Sequence, residues 1–296
     1  MAKPSKTIQD FDPEVLDQFH KYVHGAIDRR GFLKAVSRYA LGGLTAAAIL
    51  DSLQPNYAEA QEIADDDPRI STEYVQFPSP QNWQGYLTRP ANRENLALPA
   101  VLVIHENRGR NPYIEDVTRR LALVGFMAMS PDALSPMGGW PGNDDDGRAM
   151  QRELDREEMM ENWRAAIRYL KNHPLGNGKV GAVGFCYGGG VVNNLAATVP
   201  EELDAGVPFY GSQAALDIAG NIRAPLLFQN ASSDTRILAG APAYEEILRN
   251  NDVTYESHVY EGASHGFHNN TTPRYDEAAA ALAWERTVDW FNRYLL

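Results

Sequence analysis

The sequence predicts an α/β fold, a mostly parallel central sheet flanked by helices on both faces. Three observations carry that expectation. Beyond about residue 70, short apolar runs alternate with longer segments of helical spacing. The run at 99–105 (PAVLVIH) is apolar almost throughout, as a strand covered on both faces should be. At 184–188 the chain reads Gly184, Phe185, Cys186, Tyr187, Gly188, a cysteine framed by glycines between a β-prone run and a run of small or apolar residues that suits a helix.

The elements follow in order. Residues 72–77 and 84–89 read as an antiparallel pair joined by the turn cluster Pro78, Ser79, Pro80. Residues 99–105 form the first central strand, 113–124 a helix and 126–130 another strand. The segment 133–147, rich in Gly, Pro and Asp, is irregular and enters where a lid or pocket wall would sit. Within it Asp144, Asp145 and Asp146 read as a solvated loop, because consecutive aspartates lack the alternate spacing of a calcium loop. Residues 148–172 read as one long amphipathic helix with Met159, Trp163, Ile167 and Leu170 on one side. The strand 179–185 and helix 189–199 flank Cys186. Strands at 205–210, 225–229 and 255–260 and helices at 243–250 and 276–295 complete the alternation, with right-handed crossovers and no internal repeat. Functional residues should then lie just past the carboxyl ends of strands.

At 296 residues and 44% hydrophobic content the chain can bury a substantial core, as one large domain or two small ones. A formal charge of -12 and a pI near 5.0 argue against recognition of nucleic acid or of an anionic membrane through a general basic field, and fit a small-molecule substrate. The single cysteine excludes an intramolecular disulfide and a cysteine-based metal cluster. An assembly of like subunits is left open.

Residues 1–60 have a different character. Asp28, Arg29, Arg30, Gly31, Phe32, Leu33, Lys34 carry the paired arginine and Phe-Leu-Lys of a twin-arginine export signal. An apolar run at 35–50 follows, and Ala58, Glu59, Ala60 form a small-x-small cleavage site, so that Gln61 would begin the mature protein. Sixteen residues that include Arg38 are too short for a stable membrane span. The reading is therefore a periplasmic or secreted protein, with 1–60 a signal peptide, 61–70 a linker and 71–296 the domain. The alternative is a cytoplasmic protein that keeps 1–60 as a helical extension, with Phe19, Tyr22 and Val23 packing on the domain or on a partner. The first 60 residues hold seven basic and seven acidic side chains, so their removal leaves the net charge unchanged.

The cysteine frame is a nucleophile elbow with sulfur in place of oxygen. So tight a strand-to-helix turn crowds its neighbours, which is why glycine stands two residues to either side, and it sets the thiol at the positive end of a helix, where the thiolate is favoured. A thiol nucleophile needs a base, and the base needs an orienting carboxylate. In chain order these are Asp234, after the strand at 225–229, and His265, after the strand at 255–260. Asp252 and Glu261 are the weaker rivals to Asp234. His20 and His24 precede the cleavage site, His173 ends a helix and His258 lies within a strand. His265 and His268 lack a third metal ligand of matching position, so no metal is expected. His105, Glu106, Asn107, Arg108 and Gly109 end the first central strand. The loop there and the residue after the nucleophile normally supply the oxyanion-hole amides, assigned to Asn107 and Tyr187. Glu106 would face the thiol and disfavour its anion unless displaced toward a partner such as Arg108.

These residues resemble the dienelactone hydrolase (carboxymethylenebutenolidase) family of the α/β-hydrolase fold. The resemblance runs from about residue 71 to the end, carried by 178–190 (GKVGAVGFCYGGG), 260–267 (YEGASHGF), the Glu106 loop and 275–290 (YDEAAAALAWERTVDW). It implies a Cys186, Asp234, His265 triad without a cofactor, and a Glu106 that pairs with the nucleophile at rest and moves when substrate arrives. The family holds its substrate carboxylate with two arginines, one just after the histidine motif and one after the strand preceding the long helix. Here the first place holds His268 and 133–140 has no arginine, so the pocket is expected to suit a more neutral ester or lactone. Its walls are read as Arg108, Tyr113, Met137, Trp140, Tyr187, Phe267 and His268. The expected function is cleavage of a small ester or lactone through a cysteinyl acyl-enzyme. The alternatives are a non-hydrolytic thiol-based binding or redox-sensing protein, and a peptidase.

Overall fold

A computed structural model describes residues 6–40, 45–58, 61–93 and 97–296. Three short helices come first: α1 (Pro13–Val23), α2 (Arg29–Val36) and α3 (Ala46–Leu53). Asp12, Asp28 and Thr45 cap them by accepting backbone N–H bonds from their first turns. The domain follows with β1 (Ile70–Gln76), β2 (Gln84–Pro90), β3 (Leu98–Ile104), α4 (Pro112–Leu123), β4 (Met127–Pro131), α5 (Asp144–Glu153), α6 (Arg156–Lys171), β5 (Gly176–Phe185) and α7 (Tyr187–Thr198). It ends with β6 (Ala205–Phe209), α8 (Leu216–Ala219), β7 (Leu226–Ala231), α9 (Thr235–Leu238), α10 (Ala241–Asn250), β8 (Tyr255–Tyr260) and α11 (Glu277–Leu295).

The strands form one sheet in the order β1-β2-β4-β3-β5-β6-β7-β8. Pairing is antiparallel for β1 with β2 and β2 with β4, and parallel from β4 through β8. Strand periodicity divides the core. Ala100, Leu102 and Ile104 of β3 face one layer, with Trp163 and Ile167 of α6 and Val192 of α7; Val101 and Val103 face the other, with Val117 of α4 and Phe291 of α11. The parallel sheet with helices on both faces is thus the predicted architecture.

Two local expectations are corrected. The long helix at 148–172 is two helices: the chain turns extended at Leu154, and Asp155 accepts from the amides of Glu157 and Glu158 to start α6 afresh. The aspartates at 144–146 are not a loop but the first turn of α5, capped by Asn143, where their charges favour the helix N-terminus. Asp144 is buried in an ion pair with Arg108.

A third apolar cluster unites α1, α2 and α3 through Val15, Phe19, Phe32, Val36, Leu50 and Leu53. Phe19, Tyr22 and Val23 are buried, and Arg29 of the paired arginines bonds Asp145 of α5 at 3.0 Å. Glu59 and Ala60 of the expected cleavage site, and residues 41–44 of the apolar run, lie outside the described residues. Among the described residues no helix is long and apolar enough to cross a membrane.

Candidate active site

The site is assembled at the carboxyl end of the sheet. Cys186 occupies the turn between β5 and α7 with φ +55° and ψ −111°, a backbone conformation that side chains other than glycine rarely adopt. Its glycine frame has a steric cause. A methyl on Gly184 would meet the carbonyl of Gly188, and one on Gly188 the carbonyl of Ile104. As the first residue of α7, Tyr187 has an amide N–H with no partner inside that helix.

Asp234 follows β7 and His265 follows β8, in loops that converge on the elbow. His265 Nδ1 lies 2.5 Å from Asp234 Oδ2. A ring nitrogen of His265 and the Cys186 Sγ fall within 4.8 Å of each other, and Nδ1 is already engaged by the carboxylate. Burial alone would lower the pKa of His265, but the charge of Cys186 and then the hydrogen bond to Asp234 outweigh it and raise the value to about 9. Burial likewise pushes Asp234 up; the hydrogen bond and charge of His265 prevail and leave it lowered.

The Glu106 carboxylate is buried and held by the Arg108 guanidinium, with Asn269 Nδ2 donating at 3.3 Å. Arg108 also pairs with Asp144. Glu106 therefore sits in the arrangement described above as displaced toward Arg108. The Asn107 side chain reaches away from the sheet and donates to the carbonyl of Val23, 2.9 Å away.

Helix α1 lies across the site, pinned by Asn107, by Arg148 over the Tyr22 ring at 5.2 Å and by Arg274 over the Phe19 ring at 5.5 Å. It brings His24 edge-on to His265, ring centroids 4.9 Å apart, and His20 to 5.6 Å. Burial and the charge of His265 lower both, His20 to about 4 and His24 to about 2. Their spacing of four residues on an amphipathic helix beside Phe19 and Val23 was the available signal. Arg274 was also missed. It is buried, packs beside Gly266 and lies in the electrostatic field of Cys186 and Glu106; burial and then Arg108 lower its pKa. Only the fold of the loop after the histidine motif brings it back to the site.

A cavity of about 590 Å³ opens beside Cys186, lined by Tyr187, Asn107, His24 and Met159, with Arg152, Arg156, Arg236 and Glu157 among its charged walls and Arg148 buried in its pair with Asp145. Several expected wall residues are instead structural. Tyr113 is buried with its hydroxyl 2.7 Å from His268 Nδ1, His268 stacks on Phe185, and Phe267 packs against Phe209 and Tyr260 in the core. These aromatic rings belong to the layer beneath the elbow, because the loop after His265 dives into it. Arg108 is consumed by its two carboxylates, Trp140 packs edge-on to Tyr57, and Met137 faces solvent.

A profile of the dienelactone hydrolase family matches residues 83–295. The chain belongs to that family. A "Putative carboxymethylenebutenolidase" of Aquifex aeolicus is 33% identical over 225 residues, covering 72% of this chain and 94% of the relative. The "Putative hydrolase fragment YghX" of Escherichia coli is 51% identical over 115 residues, 38% of this chain and 97% of the fragment. Among solved structures, a "Putative Dienelactone Hydrolase" from Klebsiella pneumoniae superposes with a TM-score of 0.68 at 27% identity, covering 76% of this chain and 99% of that one. This dienelactone hydrolase-like chain is accordingly an ester or lactone hydrolase of the α/β-hydrolase fold. A second profile, described as YqhI-like, matches residues 3–40, the segment that carries α1 and α2.

Proposed function

We propose that the enzyme cleaves a small ester or lactone through a cysteinyl acyl-enzyme, with Cys186 as nucleophile, His265 as proton carrier and Asp234 as its orienting group. The observation that carries this reading is the position of His265, with one ring nitrogen on Asp234 and the sulfur of Cys186 within reach of the ring. With a pKa near 9, His265 carries at neutral pH the proton that a leaving group will need. The sulfur adds to the substrate carbonyl carbon, and the negative charge gathers on the carbonyl oxygen. The amides of Tyr187 and Asn107 are suited to receive it. His265 then gives its proton to the leaving alkoxide, the carbon–oxygen bond breaks and a thioester remains. A water molecule, deprotonated by His265, attacks the thioester and releases the acid and the thiolate. Asp234 keeps the proton of His265 on Nδ1 throughout, so that the other nitrogen does the transfers. In place of the neutral substrate expected from the sequence, Arg152, Arg156 and Arg236 in the cavity wall, opposed by Glu157, favour a substrate with a carboxylate. Cys186→Ala protein should lose hydrolysis of aryl esters and lactones; turnover at the native rate would remove the mechanism.

We also propose export through the twin-arginine segment at 29–34. Mass spectrometry of the periplasmic or secreted protein tests it: a chain starting at Gln61 supports export, and an intact Met1 overturns it. The two outcomes differ at the site, since a chain starting at Gln61 has lost His20 and His24.

A further inference from the structure

We propose that His24, Cys186 and His265 form a binding site for Zn2+, through which the amino-terminal helix is locked over the nucleophile. The inhibitory consequence rests on the cysteinyl mechanism proposed above; the metal site itself does not, but it exists only in the chain that still carries residues 1–60, before the cleavage that export would bring.

Three donor atoms, the Sγ of Cys186 and one imidazole nitrogen from each histidine, lie within 4.8 Å of one another. Acyl transfer uses Cys186 and His265 and gives His24 no task, yet α1 is fastened so that His24 points into the site. The bond from Asn107 to Val23 fixes the residue immediately before it. The Nε2 atom of His24 is buried without a hydrogen-bond partner among the described residues, and His265, with Nδ1 on Asp234, shares a hydrogen bond with the Cys186 sulfur. The unpartnered imidazole nitrogen of His24 converges with a thiol and a second imidazole, and that grouping of lone-pair donors points to an occupant that accepts them. A thiolate with two imidazoles is a borderline-soft donor set that suits Zn2+ and leaves the fourth tetrahedral position for water. Hard cations such as Mg2+ or Ca2+ want oxygen ligands and are disfavoured here.

The geometry needs modest closure. Ligand atoms around tetrahedral zinc stand ~3.5 Å apart, given bond lengths of about 2.0–2.3 Å, so side-chain rotations of roughly 1 Å complete the site. His265 is already oriented for it, because its Nδ1 is held by Asp234 in the carboxylate–histidine–metal pattern that fixes ligating imidazoles. Binding must release the proton shared by Cys186 and His265 to solvent, since both donate lone pairs to the metal. Zn2+ then occupies the nucleophile and the base together and ties α1 to the domain from both sides.

The test uses the full-length protein, stripped with chelator and titrated with Zn2+ by calorimetry and with Co2+ by absorption. The expected result is one equivalent bound with proton release, and a cobalt complex showing tetrahedral visible bands and a sulfur-to-metal charge-transfer band. His24→Gln should weaken binding about 100-fold or more, and Cys186→Ser should abolish the charge-transfer band. Circular dichroism and melting of each variant establish that it is folded; if His24→Gln is not, His24→Asp, which keeps a ligand atom, should bind Zn2+ more weakly than wild type and more tightly than Cys186→Ala. No charge-transfer band, or wild-type affinity in folded His24→Gln, overturns the proposal. The proposed function fails separately: if Cys186→Ala still hydrolyses esters while the wild type binds Zn2+ through all three residues, the acyl-enzyme reading falls and the metal site stands.

Discussion

Lowering the pH from 8 to 5 in metal-free buffer should loosen helix α1 from the domain. In the closed form His24 is held neutral, its pKa lowered to about 2 by burial, by His265 and by His20, with Arg236 and Arg274 adding smaller positive fields. Released into water, it returns to about 6.5. The sign follows: a histidine with a lowered folded value contributes stability above 6.5 and loses it as pH falls toward the folded value. At pH 5 the closed residue is still neutral while the open one is protonated, so opening takes up a proton, worth about 2 kcal/mol. His20 is lowered to about 4 in the same way, with Asp234 opposing the shift. It is half-buried, so solvent screening reduces its share to roughly 1 kcal/mol. Together these give about 3 kcal/mol, or roughly a hundredfold more frequent opening. Hydrogen exchange of the peptide 13–23, corrected for intrinsic rates and compared with 176–185 in the buried sheet, measures it. Protection should fall at 13–23 and hold at 176–185, and His24→Gln should show a shallower dependence. Equal protection of 13–23 at pH 8 and pH 5 would refute the claim that these imidazoles are buried neutral against His265.

Asp234→Asn should lower kcat by about 10³-fold or more while the fold persists, and should move the upper limb of the pH profile down from about 9, since Asp234 helps hold His265 up; an unmoved profile contradicts that role. Glu106→Gln removes a buried partner of Arg108, which keeps Asp144, so a thermal-melt loss of about 1–3 kcal/mol is expected. Iodoacetamide alkylation of Cys186 and turnover in the same variant test any further role of Glu106; unchanged values would reduce it to a structural ion pair. Gly188→Ala forces a methyl onto the Ile104 carbonyl and should cost ~3 kcal/mol, read as a drop in melting temperature; a native melt would mean that the elbow can relax. Arg236→Ala should raise KM about threefold for an aryl ester bearing a carboxylate, the scale of one exposed ion contact, and leave its neutral analogue unaffected, which a side-by-side assay of the two esters decides.

Much of this enzyme was legible in local pattern. The continuous apolar run at 99–105 became β3 because period-two alternation with apolar residues on both faces suits only a strand covered on both sides. The glycines around Cys186 announced a turn whose crowding the structure locates at the carbonyls of Gly188 and Ile104. Asp234 and His265 were readable because loops past parallel strand ends converge by topology, whatever their sequence separation. The break at Leu154 was not readable, since helical spacing continues through it and only the cap by Asp155 interrupts the chain.

The sheet, the elbow and the order of the residues that meet there were thus set by short-range sterics and strand connectivity, both written into the linear chain. The tertiary structure alone decided the rest: that α1 lies over the site with His24 against His265, that Arg274 returns to it, and that Glu106 is held by Arg108. Those placements depend on packing between segments as far as about 240 residues apart, where the energies are small differences among many contacts and no local pattern records which faces will meet.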